Sequence, residues 1–164
     1  MSFLETNIQQ NKKPMPIKQS MFLKFYPERC TGCGACELAC VLYHEGFSNL
    51  AFSRIHLIYD PFAGDHKAEV CIQCYSPGCY YACPVNAVQI DSGTGARYID
   101  YEKCIGCGAC ERACPLMPEK LIIRYKLVDG KRKYFKCDLC RGRPGGPACV
   151  EACPASALEL AKVR

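Results

Sequence analysis

The chain has 164 residues, about one domain's length, with 21 Lys and Arg against 16 Asp and Glu and a formal charge of +5. Its 49% hydrophobic content includes sixteen cysteines, so few aliphatic and aromatic side chains remain to build a core. No apolar run is long enough for a membrane-spanning helix. Residues 1–20 are polar, hold Pro14 and Pro16, and read as an extended arm ahead of one domain over 21–164. ACELACVLYHEG reads as a short helix ending near Gly46, and FSRIHLIYD (52–60) alternates as a strand does. AVQI (87–90), SGTG and ARYID (96–100) read as a hairpin. LIIRYKLV (121–128) and KRKYFK (131–136) read as another, joined at Asp129-Gly130, a pair suited to a type I′ turn. The terminal ASALELAKVR is too short to assign. The class is α+β, with short helices and small antiparallel hairpins.

All sixteen cysteines fall into four runs of four. Cys30, Cys33, Cys36 and Cys40 form C-x2-C-x2-C-x3-C, and Cys104, Cys107, Cys110 and Cys114 repeat it. Cys71, Cys74, Cys79 and Cys83 widen the middle gap with Tyr75–Gly78; Cys137, Cys140, Cys149 and Cys153 widen it further with Arg141–Ala148. Pro84, Pro115 and Pro154 close three runs, while Val41 follows the first, so only that helix can continue past its last cysteine. The first cysteines recur at 30, 71, 104 and 137, an internal repeat.

The compact runs match the ligand run of bacterial ferredoxins for a [4Fe–4S] cubane. Small residues between the ligands (Gly32, Gly34, Gly106, Gly108) let the backbone curl around one side of the cube. Sixteen thiolates are the ligands of four clusters. At about −2 each, the clusters bring the formal +5 to about −3, so the basic surplus compensates them and does not point to nucleic acid. A disulfide framework does not produce registered C-x2-C runs closed by C-x3-C, and zinc ribbons seldom use C-x2-C-x2-C-x3-C-P. With so thin an apolar core, ligand–metal bonds must supply much of the folding free energy. The opening residues carry no apolar secretory segment and no twin-arginine pair, and thiolate-bound cubanes need a reducing compartment, so cytoplasm is expected.

His44, His56 and His66 are expected to be no ligands, since the cysteines suffice. The tyrosines and phenylalanines are expected to pack on cluster faces. Arg124, Lys126, Lys131, Arg132, Lys133, Lys136, Arg141 and Arg143 form a basic run that reads as a solvated hairpin or a dock for an acidic partner. The wide gaps at 75–78 and 141–148 are expected to bulge from the cubanes. No nucleotide-binding glycine loop, Ser/His/Asp set or open metal position is found, so no substrate site is expected. In two-cluster ferredoxins the fourth cysteine of a run serves the neighbouring cluster, so the runs must pair. Sequential pairing joins first with second and third with fourth. Nested pairing joins second with third, and first with fourth. Only 20 residues (84–103) separate the central runs, enough for one hairpin.

HEGFSNLAFSRI after the first run, CIQCYSPGCYYACPVNAV, CIGCGACERACP, and KCDLC with PACVEACPASAL together resemble four-cluster ferredoxin subunits of molybdenum and tungsten oxidoreductases. Similar subunits serve formate dehydrogenases, carbon monoxide dehydrogenases and hydrogenases. The HEG–SRI stretch is most similar to subunits accompanying the aldehyde ferredoxin oxidoreductase family, including tungsten aldehyde oxidoreductases and benzoyl-CoA reductase complexes. The likeness covers about residues 22–160 and departs at Val41 and at Gly145 and Gly146, none of them ligands. It implies two ferredoxin-like two-cluster modules, one nested inside the other. The implied ligand sets are Cys30/Cys33/Cys36/Cys153, Cys137/Cys140/Cys149/Cys40, Cys71/Cys74/Cys79/Cys114 and Cys104/Cys107/Cys110/Cys83. It further implies a non-catalytic electron-transfer subunit beside a large tungsten or molybdenum subunit, with a flavin subunit or soluble ferredoxin as second partner. The rival reading is a freestanding polyferredoxin, or an electron-donating maturation factor for a hydrogenase, formate dehydrogenase or carbon monoxide dehydrogenase.

Overall fold

The computed structural model describes residues 21–162, so the expected arm over 1–20 lies outside the described residues. Strand β1 (Met21–Phe25) leads into the first cysteine loop and helix α1 (Ala35–Glu45). Strands β2 (Ile55–Ile58) and β3 (Lys67–Val70), the second cysteine loop and α2 (Gly78–Tyr81) follow. Then come β4 (Val88–Ile90), β5 (Arg97–Ile99), the third loop and α3 (Ala109–Arg112). Strands β6 (Arg124–Val128) and β7 (Lys131–Phe135), the fourth loop, α4 (Ala148–Glu151) and β8 (Leu158–Lys162) complete the described residues. The result is a small α+β fold of four two-stranded antiparallel sheets, β1–β8, β2–β3, β4–β5 and β6–β7.

Proline sets the helix lengths. Helices α2, α3 and α4 stop at four residues, just ahead of a Cys-Pro step, because proline lacks an N–H and holds the preceding residue out of the helical region. With Val41 in that place, α1 runs on to eleven residues and ends at Gly46, whose N–H donates to the Leu42 carbonyl at 3.0 Å. The Asp129-Gly130 turn has φ of 51° and 72°, the two positive angles a type I′ turn needs. Both expected hairpins form, as β4–β5 and β6–β7.

The strand expected over 52–60 is shorter than its pattern. Leu50–Phe52 form a 3-10 turn in which the Asn49 side chain accepts from the Ala51 N–H at 3.1 Å, leaving Ile55–Ile58 as strand. Its partner β3 carries no alternating signal and pairs through the register Ile55↔Val70. The unassigned terminal stretch becomes β8, which pairs with β1 from Phe25↔Leu158 to Met21↔Lys162. Helix α1 packs on α4, and α2 on α3. The core is thin. Ile55, Leu57, Val70, Val88, Ile122, Ile123 and Leu139 form one buried cluster interleaved with Cys36, Cys71, Cys79, Cys110, Cys137 and Cys149.

Candidate metal centres

The four cysteine loops share a backbone shape that their sequences only half reveal. The residue before the second cysteine has positive φ in every run: Gly32 at 71°, Gln73 at 54°, Gly106 at 75° and Leu139 at 56°. Glycine adopts this freely; at Gln73 and Leu139 it costs about 1–2 kcal/mol each. After the Cys-Pro step, Asn86 and Ser156 also take positive φ, and the next N–H points back at sulfur. Ala87 N–H donates to Cys83 Sγ and Ala157 N–H to Cys153 Sγ, both at 3.2 Å. Arg54 N–H reaches Cys40 Sγ at 3.3 Å, and Ala148 N–H reaches Cys140 Sγ at 3.4 Å. Such donors favour the charged form of sulfur and tune any cluster bound there.

Twelve of the cysteines gather in fours across the runs, around three small cavities. Cys30, Cys33 and Cys36 line a small cavity with Cys153, walled by Phe25, Leu57, Ala157 and Leu158. Cys71, Cys74 and Cys79 line a second cavity with Cys114. Cys104, Cys107 and Cys110 line a third with Cys83, beneath Tyr134. In the remaining set, Cys149 lies within electrostatic reach of Cys40 and Cys140, and Cys137 within reach of Cys149. Among the described residues no group of three or more Cys, His, Asp or Glu converges tightly enough to grip a single metal ion. Around each of the three small cavities four cysteines are spread out instead, which suits a larger inorganic unit with a metal at each corner.

Burial, the largest influence, pushes the thiols of Cys36 and Cys110 up to about 12 and those of Cys79 and Cys140 up to about 11. Cys137 and Cys149 are raised as well. Without metal these thiols are neutral at working pH; a bound cluster holds them as thiolates. Electrostatic contacts also join the four sets in a row. Cys36 neighbours Cys149, Cys137 neighbours Cys71, and Cys79 neighbours Cys110. Cys33 and Cys107, in the first and last sets of that row, are the exposed cysteines; Cys40, Cys71, Cys137, Cys140 and Cys149, in the middle sets, are buried.

Other side chains depart from expectation. Lys136 does not belong to a solvated face: it is 3% exposed, because its Nζ donates to the carbonyls of Arg97 and Cys137. Lys133 is also held inward, donating to the carbonyls of Tyr101 (2.7 Å) and Cys104 (2.8 Å). Arg124 binds the Ala51 and Ser53 carbonyls, leaving Lys131 and Arg132 as the exposed cations of the hairpin. Of the aromatics, Phe25 and Tyr134 wall cysteine cavities, whereas Phe62 is 99% exposed. The 141–148 loop is pinned by Arg143, which donates to the Gly146 carbonyl at 2.9 Å and to Glu151 at 2.6 Å. Arg141 lies 3.8 Å from the Tyr98 ring centre. His44 sits 3.7 Å from Cys140 Sγ and 3.3 Å from Asp138, and His56 lies 3.5 Å from Glu37.

Three residues missed in the sequence shape the sites. Glu37 is buried beside Cys36 and accepts from the Leu57 N–H (3.1 Å) and the Tyr59 hydroxyl (3.0 Å), tying α1 to β2. Burial works to raise its pKa, yet hydrogen bonds from His56, Leu57 and Tyr59 hold it below the usual carboxylate range. Gln73 donates from its side chain to the Cys137 carbonyl at 2.9 Å and accepts from the Arg97 N–H at 2.8 Å, stitching the second loop to the fourth. Arg97 is 1% exposed. A charged or amide side chain flanked by apolar residues is the only trace these leave in the sequence.

Comparisons with known proteins point to iron–sulfur proteins. A family model for a 4Fe–4S dicluster domain matches residues 63–163, and one for a 4Fe–4S binding domain matches residues 23–40. The polyferredoxin-like subunit of an aliphatic sulfonate oxidoreductase from Pyrococcus furiosus is 36% identical over 148 residues, covering 90% of this chain and 79% of that protein. The electron transport protein HydN of Escherichia coli is 35% identical over 146 residues, covering 79% and 81%. A chain of the benzoyl-CoA reductase active site complex BamBC is similar at a TM-score of 0.49 and 24% identity, covering 90% of this chain and 81% of that one. Sixteen cysteines fit four [4Fe–4S] clusters, and the chain belongs to the 4Fe–4S dicluster ferredoxins, the iron–sulfur electron-transfer subunits of oxidoreductases.

Proposed function

We propose that residues 21–164 form one four-cluster domain serving as the non-catalytic electron-transfer subunit of a larger oxidoreductase. The ligand sets are Cys30/Cys33/Cys36/Cys153, Cys137/Cys140/Cys149/Cys40, Cys71/Cys74/Cys79/Cys114 and Cys104/Cys107/Cys110/Cys83, with the central module nested inside the outer one. The observation that carries this reading is the make-up of three cavities, each lined by three cysteines of one run and the last cysteine of another. When bound, the clusters supply one-electron transfer without bond chemistry on a substrate. The chain's residues do the rest. Buried cysteines fix the middle clusters, Cys33 and Cys107 bring the end sites to the surface, and apolar walls such as Leu57 and Leu158 exclude water.

The sequence resemblance favours a tungsten or molybdenum catalytic subunit of the aldehyde oxidoreductase type at one end and a flavin subunit or soluble ferredoxin at the other. We place the chain in the cytoplasm, where cubanes are assembled under reducing conditions; no helix among the described residues is long and apolar enough to cross a membrane. Anaerobic purification from native cells is expected to isolate the chain with a large metal-cofactor subunit. Elution as a lone brown protein would favour the freestanding ferredoxin. For the ligand map, Cys153→Ser and Cys33→Ser are expected to alter the same paramagnetic signal, and Cys83→Ser the same signal as Cys107→Ser. Nesting fails if Cys40→Ser alters the signal that Cys74→Ser alters.

A further inference from the structure

Two buried cations lie against one of the four cysteine sets with no carboxylate to pair with. Arg97 on β5 donates from Nη1 to the Gly95 carbonyl at 2.6 Å, while its Nε and Nη2 have no hydrogen-bond partner among the described residues. Lys136 donates to the main-chain carbonyls of Arg97 and Cys137 and approaches the Cys71 sulfur. Both line the cavity of Cys71, Cys74, Cys79 and Cys114, and that lining holds no Asp or Glu. The cavities of the two end sets have no charged residue in their linings. Around the remaining set the cations Arg54, Arg124 and Lys126 are accompanied by the carboxylates Glu45 and Asp138, and Glu45 is shared between Arg54 and Lys126. Arg54 sits 3.6 Å from Glu45, Arg124 lies near Cys40, and Asp138 lies near Cys140. Lys136 also borders a cleft of about 510 Å³ with Asp100, Glu102 and Asp138, all more open to solvent than itself.

A charge buried without a counter-ion is strongly unfavourable, and a guanidinium does not shed its proton. The counter-ion these two side chains face is the thiolate-bound cluster. Resting on the ligand map above, we propose that Arg97 and Lys136 make the Cys71/Cys74/Cys79/Cys114 cluster the electron well of this chain, the highest in reduction potential of the four. Reduction adds one negative charge. Two cations in a low-dielectric interior stabilise that charge far more than they would in water. The exchange is one electron with a neighbouring cluster, with no proton moved and no bond made or broken. The well lies inside the row, with Cys71 toward Cys137 on one side and Cys79 toward Cys110 on the other. The first electron delivered from either end comes to rest there.

The test is a potentiometric titration of the anaerobic holoprotein followed by electron paramagnetic resonance. Lys136→Gln and Arg97→Gln are each expected to lower the equilibrium constant of the first reduction step at least tenfold, about 59 mV for one electron. Lys136→Arg and Arg97→Lys are expected to restore it. A first step that stays put, or an equal fall in all four steps, overturns the proposal. Should the glutamine variants lose iron, serine variants decide: Cys74→Ser and Cys114→Ser must both alter the signal that appears first on reduction. If both alter one later signal, the well is refuted while the ligand map stands. If they alter different signals, the map itself has failed and takes the proposal with it.

Discussion

Stripping iron from the anaerobic holoprotein is expected to abolish its cooperative thermal transition and its near-UV dichroism. The buried cluster that should hold the fold together is built as much from cysteines as from Ile, Leu and Val. Those cysteines line spaces that the apolar residues do not fill. Removing the clusters therefore leaves cavities, each losing the contacts of its walls. It also leaves Arg97 and Lys136 buried without an anion, a loss of several kcal/mol by itself. The metal-free thiol of Cys79, raised to about 11 by burial, and that of Cys74, raised by burial as well, stay neutral and cannot replace that charge. Because protons and iron compete for the same sulfurs, chelator-driven iron loss should quicken as pH falls. A sharp thermal transition in the iron-free chain would show that packing alone suffices.

Gly106→Ala is expected to cost one cluster. Glycine at 106 has φ of 75°, and an added Cβ would lie 2.5 Å from the Arg132 carbonyl oxygen and 3.0 Å from the Arg132 Cβ. The left-handed conformation costs alanine about 1–2 kcal/mol, and the clash is with strand backbone that cannot rotate away. Either β7 or the loop carrying Cys104 and Cys107 must shift. Iron content should fall from about sixteen to about twelve per chain. Gly130→Ala supplies the control, since φ there is 72° but nothing lies within 4 Å of the added Cβ. That variant should keep its iron. Full iron in Gly106→Ala would mean that the approach of β7 does not hold the third site in place.

Ligand number and helix ends were legible because single residues dictate them. The cysteine spacing gives the runs, Val41 against Pro84, Pro115 and Pro154 gives one long helix and three short ones, and Asp129-Gly130 gives the β6–β7 turn. Strands β3 and β8 were not legible. Each is held by its partner, β2 or β1, rather than by any alternation of its own. Positive φ at Gln73 and Leu139 was hidden as well, since neither residue prefers it and the loop imposes it. Lys136 was misread for the same reason. It continues a basic run in the sequence, and only the third dimension turns it inward beside Cys71.

Iron and acid-labile sulfide per chain, measured together on anaerobically purified protein, test the four-cluster account most directly. The account predicts about sixteen of each, with the broad visible absorbance of cubanes. Stoichiometric zinc with little iron would contradict it.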